Sequence, residues 1–255
     1  MERTHETLVA AQFGPRAQAY VQSAVHAQGA DLEALENIVS AIAPERALDL
    51  GAGGGHVSYV MARHAGLVTA LDLSPEMLSA VAATAHEKGL ANIETVEGRA
   101  ERLPFADGFF DFLASRYSAH HWRGFNCGLR EARRVLKPGR SAVFIDVHAP
   151  ARPLFDTHLQ AVEVLRDPSH VRNYTIAEWA AALAASGFAI ERLRTWRLRM
   201  DVAAWAGRMR TPAENQRAIR ALQAGASRET REHFAIETDG SFSIDVMMIE
   251  ARVAS

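Results

Sequence analysis

The chain has 255 residues, 48% of them hydrophobic, which suits one domain with a sizeable core and at most a small lid. Its formal net charge of −2 supplies no field to recruit nucleic acid or an anionic membrane surface. The single cysteine, Cys127, excludes an intrachain disulfide and any multi-thiolate metal site, and no apolar run reaches the roughly 18 residues that span a bilayer.

The first ten residues are polar and charged, unlike a signal peptide, so the expected compartment is the reducing cytoplasm. Lys88 and Lys137 are the only lysines against many arginines and alanines, a bias that points to a GC-rich bacterial genome. Residues 1–43 read as helical, with Ala24, Val25, Leu32, Leu35, Ile38, Val39 and Ile42 at helix-like spacing, Pro15 and Gly29 as breaks, and Asp31 as a cap. Pro44 ends that segment. Residues 47–50 form a first strand, followed by a glycine turn and a helix to about residue 65. Residues 67–71 form a second strand, and Ser74-Pro75 opens a helix that ends near Gly89. Third and fourth strands follow at 93–97 and 109–114, then a helix over 124–136 stopped by Lys137-Pro138-Gly139, then a fifth strand at 141–147.

Residues 150–173 are broken by Pro150, Pro153 and Pro168. Thr175 to Glu178 has capping-box spacing and opens a helix ending at Ser186-Gly187. Residues 188–200 and 242–253 read as two closing strands, with a polar helical stretch over 201–234 between them. This alternation predicts an α/β fold: a doubly wound, mostly parallel sheet of seven strands.

Asp49, Gly51, Gly53 and Gly55 alternate across the turn after the first strand. Glycine permits positive φ and close approach of a ligand to the main chain, and in a doubly wound sheet that turn lies where ligands bind. Asp72, at the end of the second strand, is placed to accept hydrogen bonds from both ribose hydroxyls of a nucleoside. Together they predict a nucleoside-containing cofactor. Dinucleotide enzymes use a similar turn to hold a pyrophosphate. S-adenosylmethionine (SAM) has no phosphate and instead needs a carboxylate near its ammonium, which Asp49 offers.

Three further segments decide between them: Glu97 to Phe105, Phe110 to Trp122, and Leu129 to Arg140. With these the chain resembles the class I SAM-dependent methyltransferases, and most closely the subgroup of the menaquinone and ubiquinone biosynthesis C-methyltransferases (the type 11 methyltransferase domain). The likeness covers about residues 45–147, four motifs in the family's order. Phe13 to Asp31 and Asp167-Pro168-Ser169-His170 through Trp179 resemble bacterial members without an assigned substrate.

The resemblance implies a Rossmann-like sheet with helical lid segments: residues 1–43 as an N-terminal lid, 44–255 as the methyltransferase domain, and 150–235 contributing substrate-lid insertions. It implies that Asp49, Gly51, Ala52, Gly53 and Gly55 surround the methionine part of SAM and that Asp72 holds the ribose. Leu73 and Met77 would pack near the adenosine, Ala100 and Glu101 at the adenine, and Ser115 and Arg116 beneath the sulfonium. Arg99 departs from the acid or amide common at its position; having only donors, it cannot accept from the adenine amino group, so a main-chain contact there or stacking of its guanidinium on the adenine is expected. Tyr20 and Phe13 lie in the segment that the resemblance places as a lid over the cofactor, and are expected either at that lid or as core aromatics.

His120 and His121 either put one histidine at the substrate as a general base or orienting donor or form a loop junction with one buried and one solvated ring, and both readings stay open. His148, at the end of the fifth strand, is the second candidate base. No His, Asp and Glu cluster has metal-ligand spacing. Arg192, Arg194, Arg197 and Arg199 read as protection of an edge strand rather than a nucleic-acid surface. The expected reaction is methyl transfer to a small-molecule acceptor, a carbon or oxygen nucleophile being favoured. A SAM-binding protein without transfer and a nicotinamide-dependent oxidoreductase are the alternatives, and a homodimer is left open.

Overall fold

The computed structural model describes residues 4–17 and 29–254. Strands and helices follow from β1 (Arg46–Leu50) through α3 (His56–Ala62), β2 (Leu67–Asp72), α4 (Pro75–Glu87), β3 (Ile93–Glu97), β4 (Phe110–Arg116) and α5 (Phe125–Val135) to β5 (Leu136–Val147), with no helix between β3 and β4. Helices α1 (His5–Phe13) and α2 (Ala30–Ile42) precede them. After β5 come α6 (Pro153–Arg166), α7 (Ile176–Ala185) and β6 (Phe188–Met200). Helices α8 (Val202–Arg208), α9 (Ala213–Ala224) and α10 (Arg228–His233) then lead to β7 (Phe242–Val253).

The seven strands form one sheet in the order β3-β2-β1-β4-β5-β7-β6, all parallel except β7. Strand order reverses between β1 and β4, so the crevice beyond their carboxyl ends is the switch point where such sheets bind ligands. Alternate residues of each central strand face opposite layers. Phe110 and Leu113 pack with α5 and Trp179 of α7 on one face, while Phe112 and Ala114 pack with Leu35, Val39 and Met61 on the other. A third apolar cluster gathers Phe155, Leu159, Trp205, Ile219 and Phe234 from the last helices onto Val147, Met200 and Ile244 of the outer strands.

Three local expectations change. Lys137-Pro138-Gly139 does not separate α5 from β5: Leu136 already pairs with Phe110, and the residues before Ser141 form an irregularity in the ladder, with Gly139 at φ +69°. The proline-broken stretch 150–173 contains a full helix, α6, because Pro153 sits at its first turn, where no N–H partner is needed. Asp31 does not cap α2; Gly29 holds that position.

The Asp31 carboxylate is buried and takes the Arg116 guanidinium at the end of β4, so α2 is tied to the crevice by an ion pair. Asp31→Ala leaves that guanidinium buried without its carboxylate. The expected loss is about 3–5 kcal/mol of unfolding free energy, read by urea denaturation; a change below about 0.5 kcal/mol would mean the pair is solvated and contributes little.

Candidate functional site

The crevice is built from the backbone of the turn after β1. Gly51, at φ +79°, and Ala52 both donate their N–H to Leu71 O at 2.9 Å, which folds the turn back against β2. A Cβ on Gly51 would stand 1.9 Å from Ser118 Oγ, so only glycine fits there. Gly53, at φ +50°, has no atom within 4 Å of where its Cβ would be, and it lines open space.

Two acids frame this turn. Asp49 is buried, and Ser58 donates to its Oδ2 from both N (2.9 Å) and Oγ (2.6 Å). Burial outweighs these hydrogen bonds and pushes the Asp49 carboxyl up to about 7. Asp72 accepts from Gly53 N at 2.8 Å through Oδ2 and from Ser74 N at 2.9 Å through Oδ1. Its desolvation raises it too, against the pull of those N–H groups.

Around the turn lies a chamber of about 1070 Å³, counted to its open mouth. Of the predicted cofactor residues, Asp49, Gly51, Ala52, Gly53, Asp72 and Leu73 line it from β1, β2 and the turn. Met77, Ala100, Glu101 and Arg116 complete that set. Gly55 lies behind the lining as the left-handed N-cap of α3. Ser115 is turned into the sheet, donating to Leu50 O at 2.8 Å, and Arg116, Tyr117 and Ser118 make the wall at that end of β4. Arg99 does not line the chamber; it pairs with Glu6 and so clamps α1 over the mouth. Tyr20 lies outside the described residues.

Sequence reasoning missed part of the roof. His5, Glu6 and Val9 of α1 line the chamber, and His5 Nε2 lies 3.0 Å from His121 O. Helix α1 has little amphipathic contrast, and only Phe13, at its end, marked the segment.

A second cavity of about 630 Å³ adjoins the first, and Phe13, Tyr117 and His121 line both. It is walled by Val147, Leu198, Met200, Trp205 and Ile244, with His120, Glu163, Arg166, Asp167, Asn173 and Arg208 as polar members. His120 Nδ1 lies 2.6 Å from Oδ1 of buried Asp146. Burial alone would lower His120, but the charge and hydrogen bond of Asp146 hold it above its ordinary value. His121, its ring 4.2 Å from that of His120, is pushed down to about 4 by burial and by the neighbouring His120 charge. His148 reaches neither cavity. Its N–H donates to Asp245 O, extending the β5–β7 ladder, and its Nδ1 lies 3.2 Å from Ala149 O. Among the described residues no cluster of His, Cys, Asp and Glu could hold a metal ion, and no helix is long and apolar enough to cross a membrane.

The sequence and the fold recur in known proteins. A family model described as a methyltransferase domain matches residues 48–144. The chain is 44% identical to the uncharacterized protein YafE of Escherichia coli over 79% of its own length and 97% of that protein's. It is 34% identical to the uncharacterized methyltransferase YcgJ of Bacillus subtilis over 88% of each chain. The crystal structure of YcgJ superposes with a TM-score of 0.83 over 88% of this chain and 99% of that one, at 32% identity. A demethylmenaquinone methyltransferase of Chlorobaculum parvum is 39% identical over 42% of this chain and 43% of that protein.

The chain belongs to the SAM-dependent methyltransferases. In this methyltransferase the chamber suits that cofactor: a deep acid beside the glycine turn can meet an ammonium, Asp72 can accept from a ribose, and Leu73, Met77 and Ala100 offer apolar cover for a base. The open space at Gly53 gives the backbone approach such a ligand needs.

An ammonium seated on Asp49 would make cofactor binding pH-dependent. Its raised folded-state pKa means the protonated acid stabilises the ligand-free fold at low pH, and that contribution is lost as pH rises through about 7. A cationic ammonium favours the carboxylate and reverses the preference. S-adenosylhomocysteine is therefore expected to bind about fivefold more tightly at pH 7 than at pH 6 by calorimetry, with proton release. Asp49→Asn should flatten that dependence; an equally steep profile in the variant assigns it to another group.

Proposed function

We propose that this methyltransferase moves the methyl group of SAM to a carbon or oxygen nucleophile of a small-molecule acceptor seated in the second cavity, with His120 as the proton acceptor. The observation that carries this reading is the junction: two cavities share Phe13, Tyr117 and His121, and a buried His–Asp pair lies on the acceptor side.

SAM supplies a methyl group already activated by its sulfonium. The protein's work is alignment and the exclusion of water. Asp49 meets the ammonium, Asp72 the ribose hydroxyls, and the Gly51–Gly53 backbone the carboxylate end. Helix α1, held down by Glu6–Arg99 and by His5 on His121 O, closes the mouth. In the second cavity Asp146 fixes the His120 ring through Nδ1, leaves Nε2 as the proton-accepting atom and makes the ring more basic than a free imidazole.

The reading is tested by incubating the protein with SAM and a panel of hydroxyarenes and enolisable ketones, and following S-adenosylhomocysteine by mass spectrometry. Acceptor-dependent product is expected, with kcat/KM falling as pH drops through the His120 pKa, since the base must be neutral. His120→Ala should cost about 10²–10⁴-fold in kcat/KM and leave S-adenosylhomocysteine affinity unchanged. Full turnover in that variant contradicts the base assignment. Cofactor binding with no acceptor-dependent product throughout favours a binding protein without transfer.

A further inference from the structure

The Asp167-Pro168-Ser169-His170 loop presents an unusual atom to the second cavity. Asp167 is 1% exposed. Its Oδ1 is fully engaged, accepting from Ser169 N at 2.8 Å and Ser169 Oγ at 2.6 Å. Its backbone is pinned as well, donating to Glu163 O and accepting from His170 N. Oδ2 is buried and has no hydrogen-bond partner among the described residues. A buried carboxylate oxygen left in that state is costly, and the loop is built to hold it there.

The group facing it cannot satisfy it. His121 Nε2 lies 3.9 Å from Asp167 Oδ2, beyond hydrogen-bond range. His121 Nδ1 lies 3.0 Å from Ser169 O, a carbonyl that can only accept, so Nδ1 carries the ring proton. In the neutral ring Nε2 then presents a lone pair. Neutrality follows from the surroundings: the ring is buried, and of the two histidines it is His120, held by Asp146, that protonates first as pH falls. Two acceptors thus face each other across a gap with no donor between them. Both residues line the second cavity, and His121 lines the cofactor chamber as well.

We propose that Asp167 Oδ2 and His121 Nε2 form the seat for a hydroxyl group of the methyl acceptor, making the acceptor a phenol, enol or alcohol. The hydroxyl donates to this pair at the junction of the two cavities. Where it is the reacting oxygen, the methyl group leaves sulfur for it and its proton passes to this seat; where it enriches an adjacent reacting carbon, the methyl group leaves sulfur for that carbon and the carbon's proton passes to His120. An ether or a ketone offers no hydrogen at this point and leaves both lone pairs opposed. Asp167 and His121 are in this sense specificity-determining residues. This inference rests on the second cavity being the acceptor site.

The test uses the full-length protein saturated with S-adenosylhomocysteine, with phenol, anisole and aniline as probes and nitrogen-15 NMR of the histidine rings as readout. Phenol is expected to bind about tenfold or more tightly than anisole, the ratio set by a hydrogen bond to a charged group, and to move the His121 Nε2 resonance. Asp167→Asn, which keeps size and the Oδ1 contacts but replaces Oδ2 by a donor, should erase that ratio without changing S-adenosylhomocysteine affinity. Asp167→Glu serves as a second variant should the loop fail to fold with asparagine. Equal binding of phenol and anisole, tighter binding of aniline, no binding of any probe, or a doubly protonated His121 at neutral pH overturns the proposal. If phenol binds as expected yet His120→Ala turns over normally, the hydroxyl seat stands and only the base assignment falls.

Discussion

Asp72→Ala is expected to weaken S-adenosylhomocysteine binding by about 100-fold or more, measured by isothermal calorimetry. The acid does two things at once. Its two oxygens hold Gly53 N and Ser74 N, fixing the glycine turn to the start of α4. Its remaining lone pairs face the chamber, where a ribose diol would donate to them. Each charge-assisted hydrogen bond lost is worth about 1.5–3 kcal/mol, and two together give the stated factor. Asp72→Asn should fall between, because an amide keeps one acceptor oxygen but turns the other into a donor. The cap of α4 separates binding from folding: Ser74 Oγ still accepts from Met77 N, so helix content should survive in both variants. Loss of helix in step with affinity would reduce Asp72 to a structural role.

Gly51→Ala should abolish cofactor binding for a different reason. The residue sits at φ +79°, where a side chain costs about 1–3 kcal/mol. Its Cβ would also meet Ser118 Oγ at 1.9 Å and Ser118 Cβ at 2.6 Å, and Ser118 is not free to leave, since Trp122 Nε1 donates to its hydroxyl at 3.0 Å. The backbone must therefore move, and with it the Gly51 and Ala52 N–H groups on Leu71 O. A melting temperature lowered by several degrees together with lost S-adenosylhomocysteine binding is expected. A double variant, Gly51→Ala with Ser118→Gly, should recover part of the binding, because it removes the clash and leaves the φ strain. No recovery would show that strain alone breaks the turn.

The chamber around the glycine turn was legible because backbone geometry restricts its residues. A left-handed turn beside a close contact demands glycine, and an acid ending β2 follows at short range; Asp49, Gly51, Gly53 and Asp72 can all be read from one stretch of chain. The second cavity depends on pairings between distant segments. Asp146 becomes the partner of His120 across 26 residues, and His5 reaches His121 O across 116. Neither acid nor histidine carries a local signal of that meeting. His148 shows the opposite error: a strand end pointed it to the ligand edge, but pairing with Asp245 of β7 carries it away. Ser115 sits on the inward face of β4, and only the register with β1 shows that its hydroxyl is taken by Leu50 O.

The most direct measurement is a crystal structure of the protein with S-adenosylhomocysteine. Its ribose is expected on Asp72, its amino group at Asp49, and its sulfur at the junction of Phe13, Tyr117 and His121, facing His120 across the second cavity. A sulfur directed away from that cavity, or a ligand bound outside the chamber around Gly53, would contradict the two-cavity arrangement proposed for methyl transfer.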